Sequence, residues 1–489
     1  MTFRTVLVGL IVSGCGGDAS TPMPDAPSTV DGGIATPDAA SGSAAACGNG
    51  VVEGDELCDG SGAVSCTSLA AVWGSGDAHC RSDCAGYDTS GCTLSTQTSE
   101  SVFPVRRDAR WSSALCNDGT PFNFDVHMAP VKTDKWIIYV EGGGSCDPTY
   151  TGCGGRGASL ISSSPANPDR GTGRTINIDQ TFMSRDPSVN PDFYDANIAF
   201  GRYCSSDGWS GTNTTPQTVK VKNGTAQFVF AGRNNARAYV ATLCRAFGVN
   251  DDTSEVLLIG NSAGGYGAGV NIDLLASRMP RAVADGRLAL VVSAAWESGL
   301  WNDPSYTEFS SGKTDGAVGI EILASYQSDA NPRCLAMAAA TGVGAAACAA
   351  GPLVYASAAL PPPSGWGVRT FVAKNRLDQG PMSDHGIPTA DATRQADLDA
   401  RATWLADMTE SMAGVAWLYA PADPDGSATD SNLHGIATDP LVWPYEPPGH
   451  PGQSLREMIG RFWAARAPGA AGERLLFDGD VPHTDKAND

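Results

Sequence analysis

The sequence predicts an α/β architecture, a mainly parallel sheet with helices on both faces, preceded by a small disulfide-rich module. Three observations lead there. Short apolar runs alternate with helical patterns from about residue 101 onward. Six cysteines crowd into residues 47–92. The chain has 489 residues, 42% apolar and 17% charged, which is too long for one ordinary domain and too apolar for a disordered chain. Its charge sums to 32 − 53 = −21 with histidine neutral, which opposes the phosphate neutralisation that DNA or RNA binding needs. No nucleic-acid partner is expected.

From the N-terminus, residues 1–4 carry one positive charge and residues 6–12 form an apolar run broken only by Gly9. These seven residues cannot cross ~30 Å of hydrocarbon as a helix, so the run reads as a signal-peptide core. Val12-Ser13-Gly14-Cys15 resembles the bacterial lipobox, in which the chain is cut before the cysteine and its thiol is acylated. Residues 1–15 are therefore expected to be a lipoprotein-type signal peptide, with Cys15 the lipid attachment point. No other apolar run is long enough to span a bilayer, so membrane contact would be through the lipid anchor only. The expected location is the bacterial outer membrane or cell surface, where disulfides persist.

Residues 16–46 are almost entirely Gly, Asp, Ala, Ser, Thr and Pro, the composition of a flexible linker. Residues 47–95 hold Cys47, Cys58, Cys66, Cys80, Cys84 and Cys92 among few large apolar side chains. A segment that small needs staples, and three disulfides would supply them. Cys80-x3-Cys84 is the only close spacing suited to a metal, and exported thiols are usually oxidised, so no metal is expected. The opening stretch from Cys47 to Asp59 resembles the short cysteine-rich repeat of myxobacterial surface proteins, which implies location more than chemistry. Glu53, Asp55, Glu56 and Asp59 read as a solvated acidic turn in preference to a calcium site.

Buried strands are predicted at residues 136–140, 196–200, 256–259, 288–292, 369–373 and 415–419. Helices are predicted at 234–247, 267–279, 401–412 and 454–465; in the last, Leu455, Met458, Ile459, Phe462 and Trp463 share one face. Alternation of this kind gives a parallel sheet covered on both sides. Active sites in such sheets lie beyond the carboxyl ends of the strands.

After the run ending at Ile259 comes Gly260-Asn261-Ser262-Ala263-Gly264, a Gly-x-Ser-x-Gly pattern. On its own it is weak, but a strand runs into it and a Gly/Ala-rich helix runs out, the context of a nucleophile elbow. A serine attacks a carbonyl only if a base takes its proton and donors hold the developing oxyanion. Gly142-Gly143-Gly144 after the strand ending at Val140 can aim backbone N–H groups without side chains intervening. With Ala263 at the elbow, Gly143 and Gly144 are the expected oxyanion donors. For the base, the order nucleophile, acid, histidine leaves His385, His434, His450 and His483, with His79 and His127 too early. His434 lies in a loop after the strand ending at Tyr419, and Asp378 lies after the strand 369–373. His385 and Asp384 remain their rivals on position alone.

Residues 140–146, 196–204, 257–265, 371–379 and the loop carrying His434 resemble, in order, the motifs of the pectin acetylesterase family, which includes the animal Notum carboxylesterases. The resemblance implies an α/β-hydrolase-like fold for a domain spanning 101–489, no metal or other cofactor, and a triad of Ser262, Asp378 and His434. It also implies hydrolysis of an acyl or acetyl ester, with an acetylated, pectin-like polysaccharide as the leading substrate. A monomer is the expected working form. The alternatives are a lipid or small-acyl carboxylesterase with the same triad, and a catalytically silent glycan-binding surface protein. Two departures leave the acyl group open: the family usually has Trp after the glycines and Cys before the nucleophile, where this chain has Ser145 and Asn261. Within the same picture Cys146 and Cys153 flank a loop beside the glycines. Cys116 with Cys204 and Cys334 with Cys348 are plausible partners, the connectivity being open, and Cys244 is left over.

Overall fold

The computed structural model describes residues 47–476 except 105–108, most of 147–179, 297–323 and 379–414, all of 349–351, 422–433 and 467–471, and single positions at 343, 377 and 448. Cys15 with its signal segment, the linker 16–46 and nearly all of the segment 401–412 lie outside the described residues.

Residues 47–95 contribute only short strands: β1 (Ala63–Ser65), β2 (Trp73–Ser75), β3 (Asp77–Cys80), β4 (Tyr87–Asp88) and β5 (Thr93–Leu94). Cys47–Cys84, Cys58–Cys80 and Cys66–Cys92 staple them. The segment does not build a separate apolar centre. Leu57, Cys66, Val72, Trp73, Ala78 and Cys92 join the cluster that covers one face of the large sheet, and the described residues form one compact unit.

That sheet has nine strands: β6 (Ser99–Val102), β7 (Phe124–His127), β8 (Lys135–Val140), β9 (Asn197–Gly201), β12 (Glu255–Asn261), β13 (Leu288–Ser293), β14 (Arg369–Ala373), β15 (Trp417–Ala420) and β16 (Arg474–Leu476). Between them β10 (Asn213–Val221) and β11 (Gly224–Phe230) form a separate hairpin. The spatial order is β16-β15-β14-β13-β12-β8-β9-β7-β6. Every pairing from β9 to β16 is parallel, and β7 runs antiparallel to both β9 and β6. The mainly parallel sheet is therefore as expected, with an antiparallel edge added.

Alternation within the apolar runs explains how both faces are buried. In β8, Trp136, Ile138 and Val140 belong to one cluster while Ile137 and Tyr139 belong to the other. β12 repeats this with Val256 and Leu258 against Leu257 and Ile259. The first face is covered by the helix Gly232–Ala246, by Ala263–Val270 and Ile272–Ala276, and by the cysteine-rich segment. The second is covered by Leu455–Ala464, whose start carries a capping box between Ser454 and Glu457. The single helix expected at 267–279 is instead two, and it starts at Ala263. Its glycine-rich first turn has no apolar period to read, and Asn271 interrupts it by donating to Trp209 O and Gly267 O.

Candidate active site

The carboxyl ends of four parallel strands converge on one point. β12 delivers Ser262, which has φ 57° and ψ −131° and sits directly before the helix Ala263–Val270. A non-glycine residue in that region is strained, and the strain is held by surrounding contacts: Ser262 N–H donates to Ser293 O at 2.9 Å. The glycines around it are required by close approach. A Cβ on Gly264 would stand 2.0 Å from Val140 O, and one on Gly142 would stand 2.2 Å from Asn261 O. The elbow and the glycine turn are therefore pressed together backbone to backbone.

His434, from the loop after β15, places Nε2 2.7 Å from Ser262 Oγ. Its Nδ1 lies 2.7 Å from Oδ2 of Asp378, which follows β14. The acid is 1% exposed and the histidine 37%, so the relay runs from the interior to the surface of a pocket. Burial pushes the Asp378 carboxyl up, but the charge of Lys374 and the bond to His434 outweigh it and hold the group below its ordinary range. Lys374 Nζ reaches the same Oδ2 at 2.6 Å. The three residues expected to form the triad are thus brought together. Of their rivals, His385, Asp384 and His483 lie outside the described residues, and His450 is in a turn closed onto Pro447 O.

The expected oxyanion donors border the same point. Gly143 and Gly144, with φ 147° and 70°, line a pocket of about 530 Å³ together with Tyr139, Glu141, Phe200, Arg202, Ser262 and His434. Ala263 is the first residue of its helix, where N–H groups have no intrahelical acceptor and the helix dipole favours negative charge. The turn is held from behind: Trp209 Nε1 donates to Glu141 O at 2.9 Å and Tyr203 N–H to Glu141 Oε2 at 2.8 Å. Leu160 and Tyr203 stand against Gly143. Cys146–Cys153 closes the loop that follows.

Several supporting residues escaped the sequence reading. Lys374 lies within the motif at 371–379, where it is one of two cations, with Arg376, that precede the acid. Asn261 Oδ1 accepts from Ser293 Oγ, which accepts from Ala437 N–H, so the elbow is tied to the loop that carries His434. Buried Asp207 gathers Ser205 Oγ and the N–H groups of Trp209, Gly211 and Gly232 behind the glycine turn. Among the described residues, the only cluster of cysteine and carboxylate atoms within metal-binding reach is Cys47, Asp59 and Cys84, and its two sulfurs are bonded to each other.

The pectinacetylesterase family model matches residues 95–311, which include Ser262 and the glycine turn. Palmitoleoyl-protein carboxylesterase NOTUM of Drosophila melanogaster is 31% identical over 195 residues, which is 39% of this chain and 27% of that protein. The inactive palmitoleoyl-protein carboxylesterase notum1b of Danio rerio is 40% identical over 111 residues, 22% of this chain and 71% of its own. Pectin acetylesterase 5 of Arabidopsis thaliana is 29% identical over 36% of this chain and 38% of its own. Apart from notum1b, these alignments span well under two thirds of the relatives' lengths. A crystal structure of the Wnt deacylase Notum from Drosophila superposes with a TM-score of 0.54 at 18% identity, covering 78% of this chain and 98% of that one. At that identity the likeness establishes the fold, an α/β-hydrolase-like one.

Proposed function

The chain belongs to the pectinacetylesterase family, and from that premise we propose that it is a serine carboxylic-ester hydrolase that deacetylates a pectin-like polysaccharide. What supports this most is the continuous relay Ser262 Oγ to His434 Nε2 and His434 Nδ1 to Asp378 Oδ2, each link 2.7 Å, beside a glycine turn. Membership alone does not carry activity, since one relative is named inactive.

The steps follow from the placement. Ser262 Oγ bonds to the ester carbonyl carbon while its proton passes to His434 Nε2, and Asp378 holds the imidazole tautomer and steadies the imidazolium. The N–H groups of Gly143, Gly144 and Ala263 take the oxyanion. The bond to the leaving alcohol then breaks as His434 returns the proton to it. Water repeats the sequence on the acyl-enzyme, releasing acetate and free Ser262. No cofactor enters any step.

Glu141, Arg202 and Asn261 on the pocket wall suit a sugar rich in hydroxyl groups. Tyr139 and Phe200 give the same pocket an apolar wall, which favours the second reading, a lipid or small-acyl carboxylesterase. In this proposal the enzyme works as a monomer, exported and held at the outer membrane or cell surface by a lipid on Cys15. Six disulfides fit an oxidising compartment.

The test uses the purified full chain and p-nitrophenyl acetate. Turnover that disappears in Ser262→Ala is expected; no turnover, or turnover unchanged in that variant, overturns the esterase reading. Acetate release from acetylated pectin, set against esters of longer acyl chains, separates the two substrate classes. Mass spectrometry that finds residue 15 present and unmodified in the mature protein refutes the lipid anchor.

A further inference from the structure

The mechanism above leaves Lys374 unused. A lysine carries a strongly hydrated charge on a flexible stem and is rarely buried unless an opposite charge meets it. Here the side chain is 1% exposed and its Nζ lies 2.6 Å from Asp378 Oδ2. The backbone dictates this. Lys374 N–H donates to Tyr419 O and Arg376 N–H to Pro421 O, so the chain continues along β15 before Asp378 N–H turns it back onto Asn375 O. The residue four places before the acid is thereby folded onto it. The same Oδ2 lies 2.7 Å from His434 Nδ1, so one carboxylate oxygen serves both an ammonium and an imidazole.

We propose that Lys374 is a positioning residue that acts through Asp378 to set the pH range in which His434 serves as base. This rests on the reading of Ser262, His434 and Asp378 as a triad. The charges give the direction. The ammonium of Lys374 holds the buried Asp378 carboxyl ionised against its burial. While Asp378 is ionised it orients the imidazole and balances the imidazolium that forms when His434 takes the serine proton. Activity therefore extends toward lower pH than a triad without the lysine allows.

Other charged and titratable groups face the site from neighbouring elements. Glu141, after β8, accepts from Tyr203 N–H, and Arg202, after β9, donates to Asp125 Oδ2 at 2.6 Å. Arg376 shares the loop of the acid and is buried, and Tyr419 on β15 is held un-ionised by burial. Arg202 is matched by its own carboxylate, whereas the Lys374 charge is placed directly on the triad acid.

The experiment is a pH profile of kcat/KM on p-nitrophenyl acetate for full-length wild type, Ser262→Ala, Lys374→Met, Lys374→Gln and Lys374→Arg, with thermal unfolding as the control for folding. The p-nitrophenolate leaving group needs no proton, so the acid limb reports the base step. In a folded neutral variant that limb is expected to move to higher pH by about one unit or more, which is about tenfold more activity lost in the acid range than in wild type. Lys374→Arg keeps the charge and is expected to keep the limb in place. A limb unmoved in Lys374→Met or Lys374→Gln, or moved equally by Lys374→Arg, overturns the proposal. If neither neutral variant folds, the role is stability alone and the proposal also falls. Inactive wild type, or activity that survives in Ser262→Ala, is a different result: it removes the triad reading itself.

Discussion

The two ends of the parallel strands are built on different principles. At the carboxyl ends β8, β12, β14 and β15 each hand over one part of the site, and hydrogen bonds of 2.7 Å join the side chains with no covalent link among them. At the other end, beside the chain that leads into β8 and β12, residues 47–95 have no strand longer than four residues and depend on three disulfides. Their attachment runs through long side chains to main-chain oxygens. Trp73 Nε1 reaches Ala246 O, Arg245 Nε reaches Leu57 O, and Lys132 Nζ reaches Thr89, Ser90 and Cys92 O. A segment of that size cannot bury enough apolar surface to hold itself, so it adds its few apolar residues to the cluster of the large sheet. The contrast teaches that the site is built on the sheet itself, whereas the cysteine-rich segment is a stapled cover laid against it.

Two variants break that contrast most sharply. Ser262→Ala is expected to lower kcat/KM by about 10³-fold or more with unfolding nearly unchanged, because one hydroxyl is lost from a backbone that keeps its strain. Replacing Cys66 and Cys92 together by Ser opens a closure of 26 residues and is expected to lower the stability of residues 47–95 by about 3 to 4 kcal/mol, read by hydrogen exchange in that segment. Its kcat/KM at 25 °C should stay within about twofold, since the site lies at the far end of the strands. If the disulfide variant loses activity while still folded, the two ends are coupled and the contrast fails.

The sequence disclosed what depends on local pattern and hid what depends on contact between distant segments. Buried parallel strands are continuous apolar runs, and those at 136–140, 288–292 and 369–373 lie within one residue of the observed ends. Ser262 was legible because strand, turn and helix chemistry coincide in a few residues. His434 and Asp378 were narrowed by their places after strands and chosen through the family resemblance. β7 was not legible, since Phe124, Asp125, Val126 and His127 mix charge with apolar residues, and Asp125 is buried where Arg202 and Ser101 both meet it. The hairpin of β10 and β11 carries an exposed face of Thr, Gln and Lys that reads as loop. Cys116 and Cys204, plausible partners in the sequence, are joined across 88 residues, and only the fold settles that connectivity. Lys374 falls in the same class: nothing local marks it, and its meaning comes from the acid folded against it.

A pH slope sharpens the comparison at the site end. Burial pushes the Asp207 carboxyl from 3.8 up to about 6, while Ser205 Oγ and the N–H groups of Gly232, Trp209 and Gly211 pull the other way. A folded pKa above the unfolded one means that the contribution of this group is fully present below about pH 4 and is lost as pH rises through about 6. The whole swing is about 3 kcal/mol. Unfolding of wild type and Asp207→Asn, followed from pH 4.5 to 7.5, should diverge, with wild type losing stability relative to the variant as pH rises. A constant gap between them would mean that Asp207 does not titrate in this window.

The smallest expected effect tests how the cysteine-rich segment holds on. The helix Gly232–Ala246 ends in carbonyls that have no intrahelical donor, and buried Trp73 supplies one from outside to Ala246 O at 2.9 Å. Trp73→Phe keeps an aromatic ring in the cluster but leaves that carbonyl unmet, at a cost of about 1 to 2 kcal/mol. Because the disulfides of the segment are untouched, it should detach locally before the sheet unfolds, and hydrogen exchange should quicken at residues 66–95 and at the last turn of the helix. Exchange that quickens equally across β12 and β13 would show instead that the segment and the sheet open together. The staples would then be holding the whole fold, not only the cover laid on it.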